Sequence, residues 1–392
     1  MSLTKMVAIG SLLAVVALPS IAEAGDSTDS EAAPEYFDAT AFQISSKHDG
    51  RAPGSALPRD LTRLWTLRLK GDVSYPVIAQ DLVFVTSTRN TSGTNVHAFD
   101  AQTGGKVWGP VDLGGPYGIG RLTYDAGRLF AINFDGKLQA FDASTGTPIW
   151  SRNLPGQYSF TAPPTADSGV VYVTGAGSGG TLYAVDEATG AVIWSRGVAN
   201  GDESSPAVNS RSVFVSFACE VTYRFSLTGK SKWVHTTNCS GGGGRTAVLH
   251  RGKLWIRDDA GKTPKVLNTS DGERAGAFDS DTTPAFRNDT GFLMQNGTLT
   301  SIDAASRTVL WSQAGDGTLV SAPVISGRVA YVGAASGKVY GFDVFDGQLR
   351  WTGSVGAPVQ TPDEHNAGQL QALAIGDGIL AVPARHRLSV FG

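Results

Sequence analysis

Residues 98–108 read AFDAQTGGKVW, and this phrase decides the fold because it returns twice almost unchanged. It reads AFDASTGTPIW over residues 140–150 and AVDEATGAVIW over residues 184–194. The shared pattern is a small residue, an Asp two positions later, then Thr-Gly, and a Trp four positions after the Gly. Self-similarity at a fixed period of this size is typical of repeat architectures such as propellers.

Four weaker copies continue the series: Ser226 to Trp233, Leu267 to Phe278, Ile302 to Trp311 and Phe342 to Trp351. Ser306-Arg307 replaces Thr-Gly in one copy, and Gly276 takes the Trp position in another. The repeat Trp residues are Trp65, Trp108, Trp150, Trp194, Trp233, Trp311 and Trp351. They are 39–44 residues apart, except for one interval of 78 that spans the copy without Trp. Seven Trp positions and one missing Trp predict eight repeats.

Each repeat contains four short β-like runs separated by turn residues, which is the pattern of a propeller blade. We therefore predict an all-β fold over 61–392, an eight-bladed β-propeller of four-stranded antiparallel blades. The chain ends on a third strand, 387–391. The run Leu61–Leu69 is predicted to supply the missing fourth strand, so that an N-terminal strand closes the ring and leaves no open edge.

The repeated phrase has a physical explanation. Asp and Thr side chains can bind backbone N–H groups in the turn, and Gly can adopt the positive φ that ends it. The Trp lies on the outer strand, where its ring can pack against the next blade. We interpret the seven repeat Trp residues as structural, and Trp255, which lies in a second strand, as part of the core.

The amino-acid composition agrees with such a fold and excludes two classes of binding partner. Gly supplies 49 of 392 residues, which suits many tight turns, and only 17 % of residues are charged. The 32 Lys and Arg residues nearly balance the 35 Asp and Glu residues, for a net charge of −3. Because the chain is not basic overall, we expect no nucleic-acid partner and no anionic membrane surface.

The first 24 residues have the layout of a signal peptide. Lys5 precedes an apolar run from Met6 to Leu18, and Ala22-Glu23-Ala24 offers small residues for cleavage. The run is too short to span a bilayer, which needs ~20 residues. We expect cleavage after Ala24, a secreted or periplasmic monomer, and a polar leader over 25–60 whose acidic part, 25–49, is a solvated linker.

The phrase Ala-x-Asp-x-x-Thr-Gly-x-x-x-Trp resembles the repeat of the pyrroloquinoline-quinone-like, or quinoprotein-type, β-propeller family. The resemblance covers nearly all of 61–392, and three copies match in full. This family includes quinone-dependent alcohol dehydrogenases. It also includes non-enzymatic scaffolds, such as a lipoprotein of the outer-membrane β-barrel assembly machine. The resemblance implies the fold rather than the function.

Two cysteines, Cys219 and Cys239, are predicted to form a disulfide in the exported chain. Cys219 lies in the turn between the second and third strands of the fourth blade, and Cys239 lies in the link to the fifth. Both types of loop leave a propeller on the same face. The alternative is a redox pair or a thiol ligand.

Six charged residues are predicted to lie at the mouth of the central channel and to bind a ligand. They are Asp202, Glu203, Arg245, Asp281, Asp363 and His365. Such groups could hold an anion or Ca²⁺, and solvated loop charges are the alternative. Asp363 and His365 lie in the longest inter-blade link, 352–369, where we first expect ligand contact. No metal site is predicted, because the six His show no zinc-ligand spacing. No catalytic residue is predicted, because none of the catalytic residues of the quinone dehydrogenases maps onto this chain and no G-x-S-x-G motif is present.

Three functions remain open. The first is an exported, non-catalytic scaffold, without a cofactor, whose loops on one face bind a protein or an extracellular polymer. The second is a minimal dehydrogenase of alcohols or sugars that uses pyrroloquinoline quinone and Ca²⁺, and the third is a propeller-type polysaccharide lyase. The chain looks closest to the scaffold members, because its short blades leave no room for a substrate chamber. It lacks their lipid-attachment Cys, which puts barrel assembly itself in doubt.

Overall fold

The computed structural model describes residues 37–54, 57–89, 92–219, 221–237, 244–257, 264–365 and 368–392. The predicted signal peptide and residues 25–36 of the leader lie outside these ranges. All regular elements of the described residues are β-strands, and they form eight sheets. This confirms the predicted all-β, eight-bladed propeller. Among the described residues there is no helix long and apolar enough to cross a membrane.

Seven blades each take four consecutive strands, which pair antiparallel from the central channel outward. Blades 1 to 4 consist of β3–β6 (Val77–Ala79, Leu82–Thr88, Thr94–Asp100, Lys106–Asp112), β7–β10 (Gly120–Asp125, Arg128–Asn133, Lys137–Asp142, Pro148–Asn153), β11–β14 (Thr165–Asp167, Val170–Gly175, Gly180–Asp186, Val192–Val198) and β15–β18 (Ala207–Asn209, Ser212–Phe217, Val221–Ser226, Ser231–His235). Blades 5 to 7 consist of β19–β22 (Val248–His250, Lys253–Ile256, Lys265–Asn268, Arg274–Ala277), β23–β26 (Ala285–Arg287, Thr290–Gln295, Thr298–Asp303, Val309–Gln313) and β27–β30 (Val324–Ser326, Val329–Gly333, Lys338–Asp343, Leu349–Ser354).

The eighth blade joins the two ends of the propeller. Its inner three strands are β31 (Ala374–Gly376), β32 (Ile379–Ala384) and β33 (Arg387–Phe391), and its outer strand is β2 (Arg63–Arg68). Strand β2 runs antiparallel to β33, with Thr66 opposite Ser389. Inner strand β31 lies beside β3 of blade 1. The ring is therefore closed by an N-terminal strand, as the incomplete last repeat predicts.

The repeat Trp residues lie at the interfaces between neighbouring blades. Six of the seven indole Nε1 groups donate a hydrogen bond to a backbone carbonyl in the outer turn of the next blade, as Trp108 does to Ala143 at 2.8 Å, and that of Trp351 donates to Leu61, just before β2. In those six turns the ring also covers the Gly. A Cβ on Gly146 would come within 2.5 Å of the Trp108 ring, so the Thr-Gly position leaves the space that the indole needs. Trp255 is buried within the core, 1 % exposed.

Blade 5 is the exception, because its outer strand has Gly276 where the other blades have Trp. A Cβ on Gly276 would meet the guanidinium carbon of Arg307 at 2.5 Å. Arg307 belongs to the turn of blade 6 and takes the position of the Gly in Thr-Gly. The two departures from the repeat therefore face each other across one interface, and the Arg307 side chain covers the surface that an indole covers elsewhere.

Residues 37–52, which we call the plug, line the inside of the ring at the end opposite the inter-blade links. The plug's backbone carbonyls accept hydrogen bonds from inner strands or their turns in seven of the eight blades. The donors are the backbone N–H groups of Ile78, Tyr124, Val208, Leu249, Phe286, Ile325 and Asp377. The short strand β1 (Arg51–Ala52) pairs parallel to β27.

The predicted solvated linker is therefore wrong for residues 39–49, most of which are buried. Phe42 and His48 are 0 % exposed and Ile44 is 1 % exposed. The His48 ring contacts the carbonyls of Phe42, through Nδ1 at 2.7 Å, and of Pro206 in blade 4, through Nε2 at 2.9 Å. The acidic residues that suggested a linker lie mostly before residue 37. The plug is held largely by backbone hydrogen bonds, which leave no periodic side-chain pattern.

Candidate binding site at the mouth of the central channel

The long segment between β30 and β31, of which the structure describes residues 355–365 and 368–373, crosses the other end of the channel. We call it the link. It contacts blade 1 where the Tyr75 N–H donates to the Leu370 carbonyl, at 2.6 Å, and blade 2 where Arg121 Nη2 donates to the Gly368 carbonyl, at 3.2 Å. It contacts blade 5 through Glu364, which is 1 % exposed. The link spans the mouth from one side of the ring to the other.

Glu364 is the buried anchor of the link. Its Oε1 forms an ion pair with Arg257, which is 3 % exposed, and its Oε2 accepts a hydrogen bond from the Thr246 N–H at 2.7 Å. Burial alone would raise the pKa of this carboxyl. The positive charges of Arg257 and Arg245, together with the hydrogen bond from Thr246, outweigh burial and hold the pKa at about 2. Glu364 is therefore ionised at neutral pH, and it fixes the link to blade 5.

Glu203 is a second buried carboxyl, 2 % exposed, in the segment before β15. Its Oε1 accepts hydrogen bonds from the N–H and the hydroxyl of Thr161, at 2.7 and 3.0 Å. Burial raises the pKa of Glu203 to about 7, although the bonds from Thr161 oppose the shift. The two buried glutamates therefore carry different charges near neutral pH, because only Glu364 has an arginine paired with it.

Arg121, on the inner strand β7, is fully buried beneath the link. Its Nε donates to the Thr161 carbonyl at 2.7 Å, so the same residue binds both Arg121 and Glu203. Burial lowers the pKa of Arg121 to about 10, which still leaves it charged at neutral pH. The mouth thus holds a network of buried charges, in which Arg121 and Glu203 share Thr161 and Arg257 pairs with Glu364.

The six predicted ligand-binding residues all lie around this network. His365 Nδ1 lies 3.8 Å from Asp202 Oδ2, and His365 Nε2 contacts the Gly244 carbonyl at 3.3 Å. The Asp281 carbonyl accepts a hydrogen bond from Arg257 at 3.2 Å, and Asp363 caps the His365 N–H at 3.1 Å. Glu203 accepts the hydrogen bonds from Thr161, and the charge of Arg245 helps to lower the pKa of Glu364. The sequence thus brings these residues together, and their role in binding a ligand stays a prediction.

Sequence reasoning missed the three residues that hold the network, Arg121, Arg257 and Glu364. The sequence does carry a signal for the two arginines, because each lies in or directly after a strand that is predicted to be buried. A buried Arg needs a buried partner. Glu364 lies between the predicted residues Asp363 and His365, but nothing in this tripeptide tells which of the three side chains points inward. Only the non-local contact with Arg257 settles that.

Two grooves flank the link. One, of about 340 Å³, is lined by residues that include Phe134, Tyr158, Asp202, Glu203 and His365. The other, of about 550 Å³, includes Asp72, Gln360, Asp363, Gln369 and Arg385. Among the described residues, no group of three or more His, Cys, Asp and Glu is placed to hold a metal ion.

Three aromatic residues stand beside the first groove. Tyr158 is 63 % exposed and Tyr117 is 47 % exposed. The rings of Tyr117 and Phe134 are 4.3 Å apart, centroid to centroid. We call the surface made by the link and these three aromatic residues the mouth face. Cys219 lies between β16 and β17, whereas Cys239 lies outside the described residues, so the disulfide stays a prediction.

Pyrroloquinoline quinone with Ca²⁺, which the resemblance implies for the second function, does not fit the residues at this mouth. An anionic quinone buried here would need cations to bind it. Arg257 is paired with Glu364, and Arg121 donates Nε and Nη2 to the carbonyls of Thr161 and Gly368, which leaves only its Nη1 without a partner. The link occupies the space above them. For Ca²⁺, the described residues offer no group of three or more His, Cys, Asp and Glu placed to hold it. We therefore derive no step through such a group.

Comparison with solved structures shows the same fold in proteins of different activities. Quinohemoprotein alcohol dehydrogenase from Comamonas testosteroni matches with a TM-score of 0.71 and 15 % identity, over 90 % of this chain and 80 % of that one. BamB from Moraxella catarrhalis matches with a TM-score of 0.63 and 19 % identity, over 84 % of this chain and 97 % of that one. At these identities the likeness concerns the fold alone.

Comparison of sequences identifies the family, which the likeness of folds does not. A 1-butanol dehydrogenase (cytochrome c) from Thauera butanivorans is 26 % identical over 137 residues, which are 31 % of this chain and 19 % of that protein. The match therefore spans about a fifth of that relative. The family model described as outer membrane protein assembly factor BamB matches residues 92–250 and 227–386, most of the propeller. This chain belongs to the family of outer membrane protein assembly factor BamB.

Proposed function

We propose that this protein is an exported, non-catalytic scaffold that binds a protein partner with its mouth face. The observation that carries the proposal is an aromatic group, the exposed Tyr117 and Tyr158 with the half-buried Phe134, beside a channel mouth that the chain's own link occupies. Exposed aromatic side chains on a rigid frame supply contact area with little loss of side-chain entropy, and they are enriched where proteins bind each other. Membership of a family described as an assembly factor supports a protein as the partner.

Site-specific photo-crosslinking in cells that produce the protein tests this proposal. A photoreactive amino acid replaces Tyr158 in one variant and Phe345 in another. Phe345 is equally exposed, at 60 %, but it lies in a turn at the opposite end of the strands from the links. We expect discrete crosslinked adducts from position 158 only. Adducts from position 345 alone, or equally from both, would contradict a role for the mouth face.

Affinity for a partner identified in this way gives a second readout. Tyr158→Ala should weaken binding by about tenfold or more, because truncating a central interface aromatic removes about 2 kcal/mol or more. Phe345→Ala should leave the affinity unchanged. If both variants bind as tightly as the wild type, the aromatic group is not the docking surface.

The dehydrogenase alternative is supported by the similarity to the butanol dehydrogenase. It is tested by adding pyrroloquinoline quinone and Ca²⁺ to the purified protein. Tryptophan fluorescence reports binding, and dye reduction with alcohols and sugars reports turnover. The scaffold proposal expects no saturable, Ca²⁺-dependent signal, and such a signal with turnover would overturn it. Export itself is tested by N-terminal sequencing of the mature protein, which we expect to begin at Gly25.

A further inference from the structure

A separate cavity lies at the seam where blade 8 meets blade 1. It has a volume of about 380 Å³ and we call it the seam cavity. Arg68 and Lys70, at the end of the closing strand β2, form one wall. Ser87, Arg89 and His97 of blade 1 form the floor and the opposite wall.

The floor of the seam cavity carries buried polar side chains. Ser87 is 3 % exposed and His97 is 8 % exposed, and Ser87 Oγ lies 2.9 Å from His97 Nε2. Burial, together with the charge of Lys106, lowers the pKa of His97 to about 4. At neutral pH the imidazole is therefore uncharged, and the floor offers hydrogen-bonding groups without a carboxylate.

Blade 1 departs from the repeat at this place. The pairing of β5 with β6 shifts between Val96 and Ala98, so that His97 has no partner on the outer strand. In blades 2, 3, 4, 6 and 7 the pairing of the two outer strands shifts only beside the Trp. A β-bulge redirects side chains and is common next to binding sites. The extra shift brings Pro110 to the edge of the cavity and leaves His97 facing it.

The charges around the seam cavity are mainly positive. Arg89 pairs with Asp112 on the surface. Within the part of the chain that the structure describes, Arg68 and Lys70 have no acidic side chain within 4.0 Å. Asp72 is the nearest acidic residue along the chain from Lys70, and it is exposed to solvent. The cavity thus joins a neutral, buried polar floor to walls with an excess of cations.

We propose that the seam cavity binds a phosphate group, either of a soluble phosphate or phosphomonoester or of a lipid head group. A guanidinium and an ammonium at the rim match the charge of a phosphate, and Arg forms paired hydrogen bonds to its oxygens. Ser87, Asn95 and His97 complete a set of neutral hydrogen-bonding groups below them. This site is independent of the mouth face and adds a small-molecule ligand to the proposed scaffold.

Isothermal titration calorimetry tests the site with inorganic phosphate and with glycerol 1-phosphate, added to the purified full chain at constant ionic strength. We expect saturable binding of one phosphate per chain. Arg68→Gln combined with Lys70→Gln should weaken it by about tenfold or more, because each charge-assisted hydrogen bond to phosphate is strong. Arg152→Gln is the matched control, since Arg152 is also exposed on an outer strand, in blade 2. It should bind phosphate like the wild type.

Flotation with vesicles distinguishes the two sources of phosphate. Binding to vesicles of phosphatidic acid in phosphatidylcholine, but not of phosphatidylcholine alone, and its loss in the double variant, would assign a lipid head group. Calorimetric binding without flotation would assign a soluble phosphate. The proposal is overturned if phosphate gives no saturable heat and no flotation occurs, or if the double variant binds as tightly as the wild type.

Discussion

Arg307 adopts a positive φ of 64°, at a turn position where six other blades have Gly. Such a conformation is unfavourable for any residue with a Cβ. Its side chain covers Gly276, at the only interface whose outer strand carries no repeat Trp. Arg307 thus adopts an unfavourable backbone conformation at the same interface where its side chain takes the place of the missing indole of blade 5.

Arg307→Gly should destabilise the protein by about 1 kcal/mol, although it relieves the positive φ, because the Arg307 side chain, whose guanidinium lies over Gly276, fills the gap at this interface. Urea unfolding measures the change. Arg251→Gly is the matched control, since Arg251 also has a positive φ, of 44°, but its side chain is more than half exposed. The control should be neutral or stabilising. Equal effects of the two changes would mean that Arg307 fills no gap.

Glu203 gives a prediction about pH. Its pKa is raised from 4.5 to about 7, so the folded state binds the proton more tightly than the unfolded state does. The stability that it contributes is complete below pH 4.5 and is lost as the pH rises through 7, by no more than about 1.4 kcal/mol per pH unit.

Glu203→Gln removes this titration and keeps an oxygen that can accept the bonds from Thr161. Urea unfolding at pH 5 and pH 8 should show a larger loss of stability for the wild type than for the variant. Identical losses would mean that the carboxyl is not perturbed. Other carboxyls with raised pKa, such as Glu187, are common to both proteins and cancel in the comparison.

At the scale of elements, the strands follow closely from the sequence, whereas the link and the plug do not. Seven blades consist of strands that follow one another directly in the chain. Their strands can therefore be predicted from four short β-like runs separated by turn residues such as Ser326-Gly327. The plug has no repeat, and its hydrogen bonds reach seven blades through the backbone. The link could be placed at the mouth, but its buried residue could not, because Glu364 meets Arg257 more than a hundred positions away.

The link gives a prediction at this scale. Glu364→Gln should destabilise the protein by about 3 kcal/mol or more, because it leaves the buried Arg257 without its counter-charge. Asp363→Asn is the control, since Asp363 is exposed and lies one residue away. It should have little effect on urea unfolding. The Gln variant should also be cut faster within 355–373 by added protease. Wild-type resistance and stability would contradict the anchoring role.

At the scale of the whole molecule, stability depends on closing a ring. Thr66 Oγ1 and Ser389 Oγ lie 2.9 Å apart across β2 and β33, although the residues are 323 positions apart in the chain. Thr300 and Ser312 occupy the equivalent places within blade 6, with oxygens 3.2 Å apart, and are separated by 12 positions. The same local geometry therefore closes a very long loop in one blade and a short loop in another.

A disulfide at the seam, from Thr66→Cys with Ser389→Cys, should stabilise the oxidised protein more than the disulfide from Thr300→Cys with Ser312→Cys. In the chain-entropy model the difference is about 3 kcal/mol, because the longer loop restricts the unfolded chain more. Urea unfolding with and without reductant measures both. Equal stabilisation would mean that opening of the seam does not accompany unfolding.

The seam also sets the order of events during biosynthesis. Strand β2 leaves the ribosome early, yet its partner β33 is made more than three hundred residues later. The plug must likewise wait for the inner strands of blades 6, 7 and 8. The plug lacks its partner in blade 8 until residue 377 has been made, and β2 lacks β33 until residue 391 has been made, because loop closure depends on both partners being present. Seven blades consist of consecutive strands and can pair as they are made, so synthesis separates the formation of single blades from the closure of the ring, which comes last.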